Sequence, residues 1–278
     1  MTNKEIIEEY FDIFRLRGYA ETTITNYEYD FNSLDNFLNK SFLEVTTRDI
    51  RKYLGIKSRE LKQSTIVNKI NVFSSLFTFL KEEGYIDKSP MERIQKPNFN
   101  DNERRYLNLE EIEMIRLEIN DLFKIMLFEL LYSSGMRVSE AHNLNWSDIN
   151  FRTREIHIRH GKGDKARMTK MSIKTSLLLK KYRQTRKDDN VWVLQSNYKN
   201  RMSTESIQRH IKQLGEIDGV DINLTPHKLR HTFATTLSRK NIPVEIIKEL
   251  LGHDSLDTTM GYIEVSKENI DFNYNQAF

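Results

Sequence analysis

In 278 residues this chain carries only 4 prolines and 10 glycines. Both residues interrupt helices, proline by removing a backbone donor and clashing with the preceding turn, glycine through its backbone freedom. With so few breakers, helix should dominate and long loops should be rare. The length suits two domains better than one. Charged residues reach 30% of the chain, yet aromatics reach 10%, enough to build cores rather than a disordered polyampholyte.

Apolar spacing places the helices. In residues 1–97, Ile6, Ile7, Tyr10, Phe11 and Phe14 form one apolar face, which Gly18 ends. A second helix runs from about Thr22 through Tyr27, Phe31, Leu34, Phe37 and Leu38. A third starts near Thr47, a suitable N-cap, and a fourth runs from about Ser64 to Gly84. Pro90, Pro97 and the polar run PNFNDNERR predict a linker over 98–105, separating a helical domain of 1–97 from a second domain of 106–278. The second domain opens with helices over 109–119, 122–132 and 138–144, with Gly135 between the last two. Over 155–173 the period changes to two, predicting two strands around a GKGDK turn. Helices return at 175–186, 203–214, 227–240 and 243–251, with Pro243 in the first turn of the last, and a short helix covers 255–262. The expected class is mainly α with a small β-sheet in the second domain.

Cysteine is absent, which excludes disulfides and thiolate metal sites and fits a reducing cytosol. The N-terminus has no apolar signal core, and no stretch approaches the roughly 18 apolar residues of a membrane span. A cytoplasmic protein with no membrane partner is expected. The net charge of +3 is unevenly spread: residues 152–187 hold 13 Lys or Arg against Glu155 and Asp164, a local +11 that leaves −8 elsewhere. Such a basic stripe is what a phosphate-binding surface requires, although a solvated basic face would read the same way.

The chemistry-bearing residues cluster after position 130. In PHKLRHTF, His227 and Arg230 are three apart and share a helix face, with Pro226 at the helix start, where free N–H groups favour an anion. SSGMRVSE places Arg137 just after a glycine break, with Glu140 three residues on. GKGDKAR supplies Lys162 in a turn, and LLGHDSLDTTMGY supplies His253 and Tyr262. Singly, each has a plain explanation: a surface ion pair, a lysine-rich turn with Lys165 as substitute, a helix-closing histidine, one tyrosine of 12.

Together, in this order, Arg137, Lys162, His227, Arg230, His253 and Tyr262 resemble the catalytic set of the tyrosine recombinase, or phage-integrase, family, and the motifs span about 133–265. The resemblance implies a two-domain DNA clamp, a SAM-like helical bundle followed by a catalytic domain. It implies strand breakage and rejoining through a 3′-phosphotyrosine and a Holliday junction, without metal, ATP or other cofactor. Tyr262 would be the nucleophile, Arg137 and Arg230 the phosphate clamp, Lys162 the general acid, His227 and His253 helpers at the phosphate, and Glu140 a supporting acid. Gly261, before the nucleophile, departs from the larger residue often found there.

Double-stranded DNA is the expected partner, gripped by Arg48, Arg51, Lys52, Lys62 and Lys69 of the first domain and by Lys165 and Arg167 of the second. A monomer or weak dimer in free solution, a homotetramer on two DNA sites, and a C-terminal tail of about 266–278 passed between protomers are implied by the same resemblance, as is the prospect of a second recombinase or accessory protein. Chromosome-dimer resolution and movement of a mobile element both fit. Two other readings stand beside it: DNA relaxation of the type IB topoisomerase kind, and a non-catalytic DNA-binding regulator.

Overall fold

The computed structural model describes residues 1–97, 106–159, 166–217 and 223–252. The chain divides into two compact units, Met1–Asp101 and Asn102–Phe278.

Among its described residues the first unit has four α-helices, α1 (Asn3–Leu16), α2 (Glu21–Leu38), α3 (Thr47–Lys57) and α4 (Gln63–Glu82). Reciprocal side-chain caps begin two of them. Thr2 pairs with Glu5 at α1, and Thr46 pairs with Asp49 at α3, so the α3 cap lies one residue before the expected Thr47. The apolar faces close on one core of Ile6, Phe31, Leu34, Phe42, Ile50, Phe73, Leu76, Phe77 and Leu80, each fully buried. Burying a side chain of this size contributes about 1.5–3 kcal/mol, which makes Phe77→Ala, at about 3–5 kcal/mol, a substitution this core would feel strongly. Tyr10 enters the same core with its ring edge-on to Phe31, centroids 5.4 Å apart, while its hydroxyl shares a 2.6 Å hydrogen bond with that of Ser75.

In the second unit, α5 (Leu109–Glu118) leads to α6 (Leu122–Ser134), which is apolar on nearly every side. A helix of that pattern must be surrounded, and α6 packs against α8 (Ile173–Thr185), α9 (Thr204–Leu214) and α10 (Pro226–Arg239). After α7 (Val138–Asn143) comes a three-stranded antiparallel sheet, β1 (Ile149–Asn150), β2 (Glu155–Ile158) and β3 (Arg167–Lys170), in that order. Ile156 faces Thr169 across β2 and β3, and Ile158 faces Arg167. The two-residue β1 was not expected. α11 (Val244–Leu251) packs on β3 and on α10, where Phe233, Ala234, Ile247 and Leu251 form a small separate cluster. Pro243 is the N-cap of α11 rather than part of its first turn. Among the described residues no helix is long and apolar enough to cross a membrane.

Candidate active site

The site begins where α6 stops. Gly135 takes the left-handed conformation (φ 61°, ψ 19°) that closes α6, a conformation glycine adopts without the Cβ penalty. Its face is also closed to a side chain, because a Cβ there would meet the Phe233 ring at 2.3 Å. Two residues later Arg137 is the N-cap of α7, its backbone N–H donating to Glu140 Oε2 at 2.6 Å. The SSGMRVSE sequence is thus a helix stop, a tight reversal and a helix start that together set the position of one guanidinium.

α10 supplies the next two residues. Thr225 caps it by accepting from the Lys228 N–H at 3.1 Å, and Pro226 occupies the first turn. His227 follows on the exposed side of that turn, whereas Arg230 is 3% exposed. Arg230 Nη1 donates to the Gly135 carbonyl at 2.6 Å, and Nη2 donates to the Leu251 carbonyl at 2.7 Å. Arg137, His227 and Arg230 all line one open cavity of about 710 Å³.

The end of α11 is held by three arginines on three successive carbonyls. Arg167 Nε donates to Leu250 at 3.2 Å, Arg230 to Leu251, and Arg137 Nη2 to Gly252 at 3.1 Å. These are among the acceptors a helix leaves unpaired at its C-terminus, and cations there complement the helix dipole. Gly252 closes the helix in the left-handed region (φ 63°, ψ 55°), and a Cβ on it would lie 2.4 Å from Arg167 Cδ.

Glu140 sits beneath this cluster, 4% exposed. It accepts four hydrogen bonds: from Arg167 Nη1 (2.5 Å) and Arg137 Nη1 (2.9 Å) on Oε1, and from Arg167 Nη2 (2.9 Å) and the Arg137 backbone on Oε2. Burial pushes its carboxyl up, but the two arginines outweigh burial and hold it below the ordinary glutamate value.

Arg167 was expected on the DNA-facing surface and is instead committed to Glu140, its side chain 9% exposed. Lys69 differs in the same way: it is 6% exposed on α4 and makes a short ion pair with Asp30 of α2. A buried ammonium needs such a partner, and this one leaves Lys69 off the outer face. Arg48, Arg51, Lys52 and Lys62 are exposed, with Arg51 also donating to the Arg93 carbonyl at 3.2 Å. Lys162, Lys165, His253, Tyr262, the 255–262 helix and the 266–278 tail lie outside the described residues.

Two cavity-lining cations on α9, Arg209 and Lys212, escaped the sequence reading. Their signal was present: Glu205, Gln208, Arg209 and Lys212 recur at three- and four-residue spacing opposite the buried Ile207, Ile211 and Leu214. With Arg137, Arg230 and His227 they make a wall with far more positive than negative charge, able to hold a phosphodiester. Among the described residues no group of three His, Asp or Glu is placed to hold a metal ion.

The same architecture occurs in proteins of known kind. Residues 105–269 match the phage integrase family, and residues 7–84 match the phage integrase N-terminal SAM-like domain. Tyrosine recombinase XerA of Pyrococcus horikoshii is 32% identical over 277 residues, covering 97% of this chain and 92% of that protein. Tyrosine recombinase XerC of Pediococcus pentosaceus is 30% identical over 282 residues, covering 94% and 93%. The integrase of transposon Tn1549, solved with circular intermediate DNA, shares the fold with a TM-score of 0.79 at 18% identity, covering both chains completely. With both units matched and the relatives aligned nearly end to end, the chain belongs to the phage integrase family.

Proposed function

We propose that this chain is a tyrosine-type site-specific recombinase that cleaves and rejoins duplex DNA. The observation that carries the reading is the convergence of Arg137, His227 and Arg230, from two helix starts far apart in sequence, on one cavity wall. The DNA complexes among its structural neighbours and the recombinase names of its relatives support the same partner and reaction.

In this reading the Tyr262 oxygen gives up its phenolic proton to His227 and attacks the scissile phosphorus, the bond to the 5′-oxygen breaks, and the strand remains joined to the protein as a 3′-phosphotyrosine. The departing 5′-oxygen takes a proton from Lys162, and the reverse attack by a 5′-hydroxyl on a partner strand rejoins the backbone. The bond energy is retained in the phosphotyrosine, so rejoining draws on no nucleotide. Arg137 and Arg230 face the charge that grows on the non-bridging oxygens, where a planar two-pronged donor outperforms an ammonium. His227, exposed at the α10 start, reaches the same phosphate, and His253 is assigned beside it on its position in the motif. Arg209 and Lys212 extend the positive wall along the DNA backbone.

Residues 1–97 are assigned as a DNA-binding domain, 98–105 as a linker and 106–278 as the catalytic domain. Exposed Arg48, Arg51, Lys52 and Lys62 contact phosphates from the first domain, and Lys165 does so from the second. Recombination proceeds in a tetramer on two duplexes with exchange of the 266–278 tail, in the cytoplasm, where such DNA is found.

The test is a nicked suicide duplex carrying a binding site first selected from a random pool. A denaturation-resistant protein–DNA adduct is expected, lost in Tyr262→Phe and kept in Tyr274→Phe. Absence of the adduct on a tightly bound site would overturn the reading.

A further inference from the structure

Arg167 does not line the cavity, yet it makes three of the bonds that organise the wall from behind. Its backbone is the first residue of β3, in register opposite Ile158, so the sheet holds it independently of the six-residue helix α7. Its fork grips both oxygens of Glu140, its Nε holds the Leu250 carbonyl, and its stem fills the space beside Gly252 where any larger residue would clash.

We infer that Arg167 is a positioning residue for strand cleavage, acting through Glu140 on Arg137; the inference rests on the reading of the site given above. Two consequences follow from the geometry. First, Glu140 orients Arg137 through both its side chain and its backbone, and Arg167 orients Glu140. Second, two guanidiniums share one carboxylate, so the group keeps one net positive charge, and Arg137 is the member that lines the cavity. Without Arg167, Glu140 would neutralise Arg137 and draw it away from a phosphate.

A positioning role through charge separates from a purely structural one by the substrate used. A methylphosphonate at the scissile position replaces one charged non-bridging oxygen with a methyl group, so its transition state asks less of Arg137. Four measurements are compared for wild type, Arg167→Ala and Arg137→Ala: thermal unfolding, affinity for the selected duplex, and single-turnover adduct formation on the phosphodiester and on the methylphosphonate. Wild type must first form the phosphodiester adduct; its failure there condemns the recombinase reading rather than this inference.

Given that adduct, Arg167→Ala should slow phosphodiester cleavage about 10²-fold, the size of effect seen when one fixed transition-state donor is lost. Affinity should change by less than about threefold, as expected for a loss confined to the transition state. On the methylphosphonate the deficit should shrink to below about tenfold, in parallel with Arg137→Ala. Arg167→Lys keeps a charge and an aliphatic stem but not the fork, and should recover only part of the rate. If Arg167→Ala does not fold, the same two-substrate comparison is read from Arg167→Lys. Cleavage at the wild-type rate, or an equal slowing on both substrates, overturns the inference.

Discussion

Arg230 Nη1 and the carbonyl oxygen of Gly135 stand 2.6 Å apart although 95 positions separate the two residues. This contact ties α10 to the turn that launches α7. It also explains why the turn carries a glycine: Phe233, three residues beyond Arg230, lies over the face where a Cβ would project.

Substituting Arg230 should therefore damage the fold as well as the chemistry. Arg230→Ala removes the donor from two buried carbonyls, and each unsatisfied group costs about 1–3 kcal/mol. A lowered denaturation midpoint with an unchanged slope is expected in urea, whereas His227→Ala, at an exposed position, should lower the midpoint much less. An equal midpoint for both variants would contradict this assignment of Arg230.

Gly135→Ala should be destabilising through two independent causes, the left-handed backbone at about 1–2 kcal/mol and the collision with Phe233. Trimming that ring tests the second cause by itself. In the double variant Gly135→Ala/Phe233→Leu, thermal unfolding should show a smaller total loss than the two single losses added together.

Glu140 links stability to acid. Its folded pKa lies below the ordinary value of 4.5 because the two arginines outweigh burial. The stabilisation is therefore present above the unfolded pKa and is lost as pH falls through the folded one. Wild type should outlast Glu140→Gln at neutral pH, and their unfolding midpoints should converge as the buffer is taken well below pH 4.5. A gap of constant size down that range would mean that Glu140 is not the group responsible.

The first unit offers a contrast between exposed and buried cations. Each of Arg48→Ala, Arg51→Ala and Lys52→Ala should reduce the slope of log affinity against log salt by about 1 if that residue neutralises a phosphate. Lys69→Met should leave the slope alone but lower stability by about 3–5 kcal/mol, because it strands the Asp30 carboxylate. A salt slope altered by Lys69→Met at unchanged stability would reverse this division of roles.

The helices were legible wherever apolar spacing and breakers agreed, as in α1, in α4 and at the end of α6 before Gly135. The candidate site was legible where motif spacing coincided with helix starts, so Arg137, His227 and Arg230 fall on one cavity. Arg167 was misread because the partner that buries it, Glu140, is 27 residues away and the surrounding run of positive charge resembles a surface. Lys69 could have been doubted from sequence alone, since it falls within the apolar stripe of Ile66, Ile70 and Phe73. β1 has only two residues and pairs through backbone atoms, leaving no side-chain period to detect.

The arginines at the end of α11 carry a kinetic meaning. A free arginine side chain holds about 2 kcal/mol of rotamer entropy, and Arg137 and Arg230 have surrendered much of it to the carbonyls of Gly252 and Leu251. That ordering accompanies folding rather than the encounter with DNA. An arriving phosphate would meet a stiff pair of cations and need little local rearrangement of them, so less of the binding free energy is lost to ordering these two side chains.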